Sequence, residues 1–328
     1  MASKDSGEGS CRHLDEALQG TYLPVTYGII FVVGFLGNIT AIVLYAGKVR
    51  PWTSNSVMML NLAAADLLYV MSLPFFVLHY SAPDLLPMDS PLCYALRIAF
   101  HFHLYASILL LTCVSAFRYA AVVHPLRSGR LQERRWAVAS CLAAWGLTGL
   151  EMYPMLNTIR LDMNSTRKCV DFASSESERL VLYNWLLTAL GYLLPLVVVV
   201  QCYVCVAQAL SGGLGPRTPS RLRARRMSLA VLVVFALSFT PYHVLRMLRV
   251  YTRASQSCVL REGANVAYIL FRPVAALNAC LNLPLYTLAG GRLQQALCGL
   301  LPAGTLCCRP RLKSPMAIAV VTVDKGTY

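Results

Sequence analysis

Residues 22–47 read YLPVTYGIIFVVGFLGNITAIVLYAG, twenty-six positions without a charged side chain. As a helix, about twenty apolar residues cross the roughly 30 Å hydrocarbon core of a bilayer. The chain is 57% hydrophobic and only 13% charged, a composition typical of polytopic membrane proteins. Six similar runs follow, near 54–81, 90–123, 134–157, 180–211, 226–252 and 264–288. The sequence therefore predicts an all-α membrane protein, a bundle of seven transmembrane helices.

The charge distribution predicts the orientation of these helices. Acidic residues crowd the N-terminus and the gaps after even-numbered runs, whereas lysine and arginine mark cytoplasmic loops. The N-terminus is therefore expected outside and the C-terminus inside, in the plasma membrane, and residues 1–20 do not resemble a cleavable signal peptide. The net charge of +14 is compatible with contacts to membrane lipids and is not interpreted as nucleic-acid binding. The basic residues in the odd-numbered gaps and the tail are Lys48, Arg50, Arg127, Arg130, Arg134, Arg135, Arg217, Arg221, Arg223, Arg225, Arg226, Arg309, Arg311 and Lys313.

Four segments follow from these features. We expect an extracellular N-terminus (1–21), the bundle (22–288), a short amphipathic membrane-associated helix (289–301) and a cytoplasmic tail (302–328). Palmitoylation candidates after the last run are Cys298, Cys307 and Cys308. The sequon at Asn164 lies in a predicted outer loop and predicts glycosylation. A second sequon at Asn38 lies inside the first run and is interpreted as structural.

Arginines inside the apolar runs are the main functional signal. Arg97, Arg246, Arg249 and Arg272 lie within predicted helices, where a charge costs about 2.5–3.5 kcal/mol at the bilayer centre. The runs hold few acids, notably Asp66 and Glu151. We therefore expect the missing partner to be an anion from outside. Alternatively, some arginines extend to the membrane surface or pair with Glu151 or Asp171, most readily Arg249 and Arg253.

Motifs occur in order through the seven runs: Gly37-Asn38, Asn61 to Asp66, Cys93, Phe117-Arg118-Tyr119, Trp145, Pro195, Tyr203, Phe239-Thr240-Pro241 and Asn282-Leu283-Pro284-Leu285-Tyr286. Over about residues 20–300, this ordered set resembles the rhodopsin class (class A) of G-protein-coupled receptors. Two departures are Phe117, where the class usually has an acid, and Pro284, one place later than usual.

Within the class, the chain is most similar to the branch of nucleotide, succinate and 2-oxoglutarate receptors. His243 to Arg246 and Phe271-Arg272-Pro273 carry this resemblance. The stretches 23–31 and 274–278, with Leu283, look most like 2-oxoglutarate receptors, while 171–175 is similar to succinate receptors. The resemblance implies a cell-surface receptor, not an enzyme, that signals through heterotrimeric G proteins. A dicarboxylate such as 2-oxoglutarate or succinate is the expected ligand; extracellular nucleotides or an acidic lipid such as a leukotriene are the alternatives.

Helical spacing gathers the candidate ligand residues. Arg97 and His101 share one face of the third helix, and His243 and Arg246 share one face of the sixth. Arg272 precedes Tyr286 by about 21 Å along the seventh helix, so it falls in the outer half. Arginine binds a carboxylate through two parallel hydrogen bonds. Arg97 with Arg272 could hold one end of a dicarboxylate and Arg246 the other, while Tyr242 could add a hydroxyl. The predicted ligand site is Arg97, His101, Tyr105, His243, Arg246, Arg249, Tyr268 and Arg272.

Other ligand classes are disfavoured. Phe100 occupies the place where amine receptors of the family carry an aspartate, and no lysine lies within a run to hold retinal. His101-x-His103 is not expected to chelate a metal, because residues two apart point in different directions on a helix. No cofactor is therefore expected, apart from a possible allosteric sodium ion.

The resemblance also implies a set of internal and outer-face contacts. A sodium site would use Asp66, Ser107, Asn278 and Asn282, although a hydrated polar network without an ion is the alternative. The activation switch would use Arg118, Tyr203 and Tyr286. Four cysteines are predicted outside the membrane, and they can pair in three different ways. The family resemblance implies the scheme with the two disulfides Cys93–Cys169 and Cys11–Cys258.

Overall fold

Each apolar run of the sequence forms a long helix in the computed structural model, and we label these helices α1 to α7 in chain order. The structure describes residues 18–47, 51–82, 84–85, 91–125, 129, 132–165, 178–211, 219–252 and 257–289. The bounds are Leu23–Gly47 for α1, Ser54–Val70 and Leu73–Ser81 for the two parts of α2, Pro91–Val123 for α3, Arg134–Ser165 for α4, Glu178–Thr188 and Leu194–Ser211 for the two parts of α5, Pro219–Thr252 for α6, and Cys258–Ala276, Asn278–Leu281 and Leu283–Ala289 for the three parts of α7.

Six of these described helices are long and apolar enough to cross a membrane, and α4 is the exception. That helix carries Glu151 and many small residues. Its outward side chains are nevertheless apolar, since Leu142, Leu147 and Leu150 are 65%, 51% and 69% exposed. Large apolar side chains exposed over the whole outside of the bundle fit a lipid environment. The fourth helix therefore belongs with the other six.

Several helices extend beyond the predicted apolar runs. Helix α4 continues to Ser165 instead of ending at 157, and α7 begins at Cys258 instead of 264. The Ser257 hydroxyl caps α7 by accepting from the backbone N–H of Leu260 at 3.5 Å. Hydropathy marks only the apolar part of a helix, whereas caps set its ends. We predicted an outer loop at Asn164, but the backbone there forms the last turn of α4. The side chain of Asn164 lies outside the described part of the structure.

Three helices, α2, α5 and α7, are interrupted within their length by breaks or by a wide turn. Helix α7 carries Pro273 inside its first part and is broken at Leu277 and at Asn282, two residues before Pro284. Proline lacks the N–H that an α-helix needs. Helix α2 is broken just before Pro74, and α5 has a wide turn at Ala189–Leu193. These breaks bring polar groups into the core, and Asn278 and Asn282 are fully buried there.

A glycine allows α1 to approach α7 closely at the second break. A Cβ atom on Gly37 would lie 2.4 Å from Leu283 Cδ1. Leu283 occupies the place where the resembled family usually has proline. The close packing of Gly37 and Leu283 shows how the bundle accommodates this departure without a gap.

Candidate ligand-binding site

Arg97, His101 and Tyr105 lie on one face of α3, at successive intervals of four residues, and all three are buried. His101 Nδ1 is 2.8 Å from the Arg97 carbonyl oxygen. Because a carbonyl only accepts, Nδ1 carries the hydrogen, and the Tyr242 hydroxyl donates to Nε2 at 3.4 Å. In this arrangement His101 positions Tyr242, and it would need a second proton to donate to a ligand.

Arg246 of α6 is the most deeply buried of the predicted cations, with 1% of its surface exposed. Its Nη1 donates to the Tyr105 hydroxyl at 2.7 Å, and its Nη2 donates to the Asn184 side-chain oxygen. Both acceptors are neutral. Among the described residues, no carboxylate lies within ion-pair distance of this guanidinium. The positive charge is therefore held in place but not neutralised by these residues.

Arg272 of α7 lies in an aromatic setting formed by α2 and α3. Its Nη1 donates to the Tyr80 hydroxyl at 2.8 Å. The guanidinium carbon lies 5.2 Å from the ring centre of Phe100 and 5.9 Å from that of Phe76. Cations are attracted to the faces of aromatic rings, so both phenylalanines favour a charged group at this place.

Tyr242 connects the groups around the two arginines. Its ring centre is 5.5 Å from Phe100, 5.8 Å from Tyr268 and 5.3 Å from His243. Arg249 is only partly buried and lies 4.8 Å above the Tyr268 ring. The site thus has a buried aromatic centre with Arg246 and Arg272 at its sides and Arg249 toward its edge.

His243 contributes a buried imidazole to the same cluster. Its ring stacks on Tyr192 with centres 4.2 Å apart and planes 7° apart, and the Tyr105 ring meets it edge-on at 5.7 Å. The residue is 1% exposed, and neither ring nitrogen has a hydrogen-bond partner among the described residues. Burying such a group is costly unless something hydrogen-bonds to it. His243 is therefore a polar group that a small ligand could satisfy.

The predicted ligand residues therefore lie together on three helices, α3, α6 and α7. Arg97 is buried one turn before His101 and completes the face of α3 that belongs to the site. Sequence reasoning missed Asn184, Tyr80 and Tyr192, which hold Arg246, Arg272 and His243. Nothing in the order of residues along α2 and α5 indicates which of their polar side chains faces an arginine of another helix.

The candidate sodium residues form a hydrogen-bonded centre around Asp66. The Asp66 Oδ2 atom accepts from Asn282 Nδ2 and from the Tyr286 hydroxyl, each at 2.9 Å. The Oδ1 atom accepts from His103 Nε2 at 2.9 Å and from the Ser107 hydroxyl at 3.5 Å. Asn278 is buried nearby, with no described partner for its amide. His103 and Tyr286 are the members that the sequence did not assign to this centre.

The three predicted switch residues lie on three different helices. Tyr286 of α7 binds Asp66, and its hydroxyl lies 2.8 Å from Asn38 Oδ1. The Asn38 amide in turn donates to the backbone of Gly34 and Ala279, in keeping with the structural interpretation of that sequon. Tyr203 on α5 and Arg118, in the C-terminal part of α3, are both partly buried.

Several predictions fall on residues outside the described part. Cys11, Cys169, Arg253, Cys298, Cys307, Cys308 and the segments 1–17 and 290–328 lie there, as does the side chain of Cys93. Cys258 has a free, exposed thiol in the structure, so its predicted bond to Cys11 gains no support from it. Both disulfides remain predictions.

Comparison with known proteins gives a family match over most of the bundle. Residues 37–286 match the 7 transmembrane receptor (rhodopsin family). The chain is 41% identical over 300 residues to 2-oxoglutarate receptor 1 of Mus musculus, covering 90% of this chain and 88% of that one. It is 42% identical over 282 residues to 2-oxoglutarate receptor 1 of Rattus norvegicus, covering 84% and 83%. It is also 34% identical over 300 residues to a purinoceptor, subtype 4, of Rattus norvegicus, covering 90% and 83%.

Proposed function

The chain belongs to the rhodopsin family of seven-transmembrane receptors, and we infer that a small dicarboxylate is the ligand that activates it. Membership confirms the predicted all-α seven-helix bundle and the predicted function as a G-protein-coupled receptor. The names of the relatives, 2-oxoglutarate receptor and purinoceptor, support a small anion or a nucleotide as the ligand. Membership also confirms that the chain is a multi-pass membrane receptor and not an enzyme. The identity of the anion and the residues that bind it form the proposal.

The environment of Arg246 carries this proposal. A buried charge that lacks an opposite charge is unfavourable by several kcal/mol. Arg246 is bound only by the neutral groups of Tyr105 and Asn184 within the described part of the chain. These contacts orient the guanidinium and leave its charge available. A carboxylate entering the site would supply the opposite charge and a charge-assisted hydrogen bond.

Two anionic ends fit this arrangement better than one. Arg246 contacts Tyr105 on α3, whereas Arg272 contacts Tyr80 on α2 and the Phe100 ring on α3. Tyr242 and Phe100 lie between the two contacts, with ring centres 5.5 Å apart. We propose that Arg246 binds one carboxylate and that Arg272, with Arg97, binds the other.

Close aromatic packing favours a small ligand over a nucleotide. Tyr105, Tyr242, Tyr268 and Phe100 are all at most 2% exposed. A base and a ribose would have to displace several of these rings, whereas a short diacid would need to displace few. The names of the relatives cover both classes, 2-oxoglutarate receptors and purinoceptors, so the test includes nucleotides.

We place the N-terminus outside and the tail 302–328 inside, after a membrane-associated helix at 289–301, with glycosylation at Asn164. The disulfides Cys93–Cys169 and Cys11–Cys258 would hold the outer loops over the ligand site. Contacts between basic residues and membrane lipids complete the proposed arrangement.

A dose–response panel on cells that express the chain tests the ligand assignment. Succinate, glutarate, 2-oxoglutarate, ADP, UTP and a leukotriene would be applied to the parent and to Arg246→Gln. The matched control is Arg261→Gln, which removes an exposed arginine at the start of α7 that pairs with Glu262. We expect a short diacid to activate the parent and the control, with loss of potency only in Arg246→Gln. Activation by a nucleotide or a leukotriene alone would refute the dicarboxylate assignment.

A further inference from the structure

Both carboxylate oxygens of Asp66 are contacted by hydrogen-bond donors from the protein itself. A carboxylate has about four lone-pair sites. His103 donates to Oδ1 and Asn282 donates to Oδ2, each at 2.9 Å. The Ser107 hydroxyl lies 3.5 Å from Oδ1, and the Tyr286 hydroxyl shares its one hydrogen between Oδ2 at 2.9 Å and Asn38 Oδ1 at 2.8 Å. All four donors come from residues at most 3% exposed. The aspartate that would be the only charged ligand of a sodium ion therefore already accepts hydrogen bonds from the protein on both oxygens.

His103 is the donor to Asp66 that distinguishes this centre from the predicted sodium site. Its ring stacks flat on Tyr69, with centres 4.2 Å apart and planes 5° apart. Tyr69 lies one helical turn after Asp66 on α2, so the stack fixes the imidazole beside the carboxylate. An ionised carboxylate only accepts, so Nε2 carries a hydrogen and donates it along the 2.9 Å contact.

A sodium ion does not fit among these groups without displacing one of them. Sodium, as a hard cation, needs oxygen ligands, and the Nε2–H group of His103 lies against Asp66 Oδ1. Displacing His103 would leave a buried donor unsatisfied, which is unfavourable. Asn282, and Asn278 one helical turn before it, each have a side-chain Oδ1 without a hydrogen bond to any described residue, and both oxygens are neutral.

We propose that His103 takes the place of the allosteric cation, so that the stability of this receptor does not depend on sodium. The imidazole is part of the chain and links α3 to Asp66 of α2 through a hydrogen bond. In a sodium-binding receptor, a dissociable ion would provide that link. The binding of ligands at Arg246 and Arg272 should therefore not compete with sodium. This inference rests on the contacts of Asp66 and is independent of which anion activates the receptor.

Thermal unfolding of the purified full chain in lipid nanodiscs tests the proposal without any agonist. Sodium chloride would be exchanged for N-methyl-D-glucamine chloride at constant ionic strength. We expect the Tm of the parent to be the same in both salts. A saturable rise of Tm with sodium in the parent, absent from Asp66→Asn, would overturn the proposal.

Variants at His103 test whether the imidazole is the cause. His103→Ala removes the donor, and its Tm should then rise saturably with sodium, by about 2–5 °C at a tenfold excess over Kd. His103→Gln retains an N–H donor and should remain insensitive. If His103→Ala does not fold, His103→Leu, which fills more of the space and has no donor, replaces it. A folded variant without the donor that still ignores sodium would show that His103 is not what excludes the ion.

Discussion

Arg246 of α6 donates to the hydroxyl of Tyr105 on α3 at 2.7 Å, in a region where both side chains are at most 1% exposed. This contact joins the two helices that carry most of the ligand-site residues. Tyr105 orients the guanidinium but contributes no negative charge. The cation is therefore prepared for an anion that the described residues do not supply.

Alanine at the principal arginines should weaken activation strongly. A charge-assisted hydrogen bond contributes about 1.5–3 kcal/mol, so Arg97→Ala, Arg246→Ala and Arg272→Ala should each reduce potency by roughly ten- to a hundredfold or more. Lysine at these positions should rescue only partly, because an ammonium group cannot form the planar two-bond contact. Dose–response curves at matched surface expression measure the effect. If all three alanine variants had the potency of the parent, these arginines would have a purely structural role and would not bind the anion.

Asn184→Asp should place an internal anion beside Arg246. The substitution keeps the side-chain shape and converts a neutral acceptor of Arg246 into a charged one. An internal ion pair competes with the ligand, so potency should fall by about tenfold, the equivalent of 1.4 kcal/mol. Thermal stability should not fall, which separates competition from misfolding. Unchanged potency in a well-expressed variant would argue against Arg246 as an anion-binding group.

Gly191→Ala should displace the Tyr105 ring and thereby disturb the ligand site. A Cβ atom at Gly191 would lie 2.7 and 2.8 Å from two carbons of the Tyr105 ring. Such overpacking costs about 1–3 kcal/mol and would shift the hydroxyl that holds Arg246. We expect a lower Tm together with a lower potency. Gly149→Ala on α4 is the control, because its Cβ atom would meet nothing within 4 Å. Equal behaviour of the two variants would contradict the packing argument.

Arg118→Ala should separate ligand binding from signalling. Arg118 lies near the C-terminal end of α3, more than three helical turns beyond Tyr105 in the ligand site. Its loss should abolish G-protein activation while ligand binding and surface expression remain close to those of the parent. Radioligand binding and a nucleotide-exchange assay on the same membranes distinguish the two effects. Normal nucleotide exchange would mean that a chain with Phe117 before this arginine uses another switch.

The outer disulfides are open to direct chemical mapping. Non-reduced peptide mass spectrometry should recover Cys93 linked to Cys169 and Cys11 linked to Cys258. The second pairing is the sharper test, since Cys258 is an exposed free thiol in the structure. Recovery of a Cys11–Cys169 peptide would refute the proposed arrangement of the outer face.

The helices of this receptor are determined by the sequence to a large extent. Uninterrupted apolar runs leave the backbone no partner in lipid other than itself, so each run must become a helix. Helix ends were less predictable, as α4 and α7 show, because the Ser257 cap and polar continuations lie outside the hydropathy signal. The intramembrane arginines also follow from the sequence, since a charge in an apolar run is conspicuous without any structure.

The partners of those arginines were decided only by the tertiary structure. Asn184, Tyr80 and His103 are ordinary polar residues in the sequence, and their spacing indicates no contact with Arg246, Arg272 or Asp66. These contacts join residues 62, 192 and 37 positions apart. They depend on how the helices are rotated and where α2, α5 and α7 are broken. Helical periodicity specifies which residues share a face, but only the packing of one helix against another determines which faces meet.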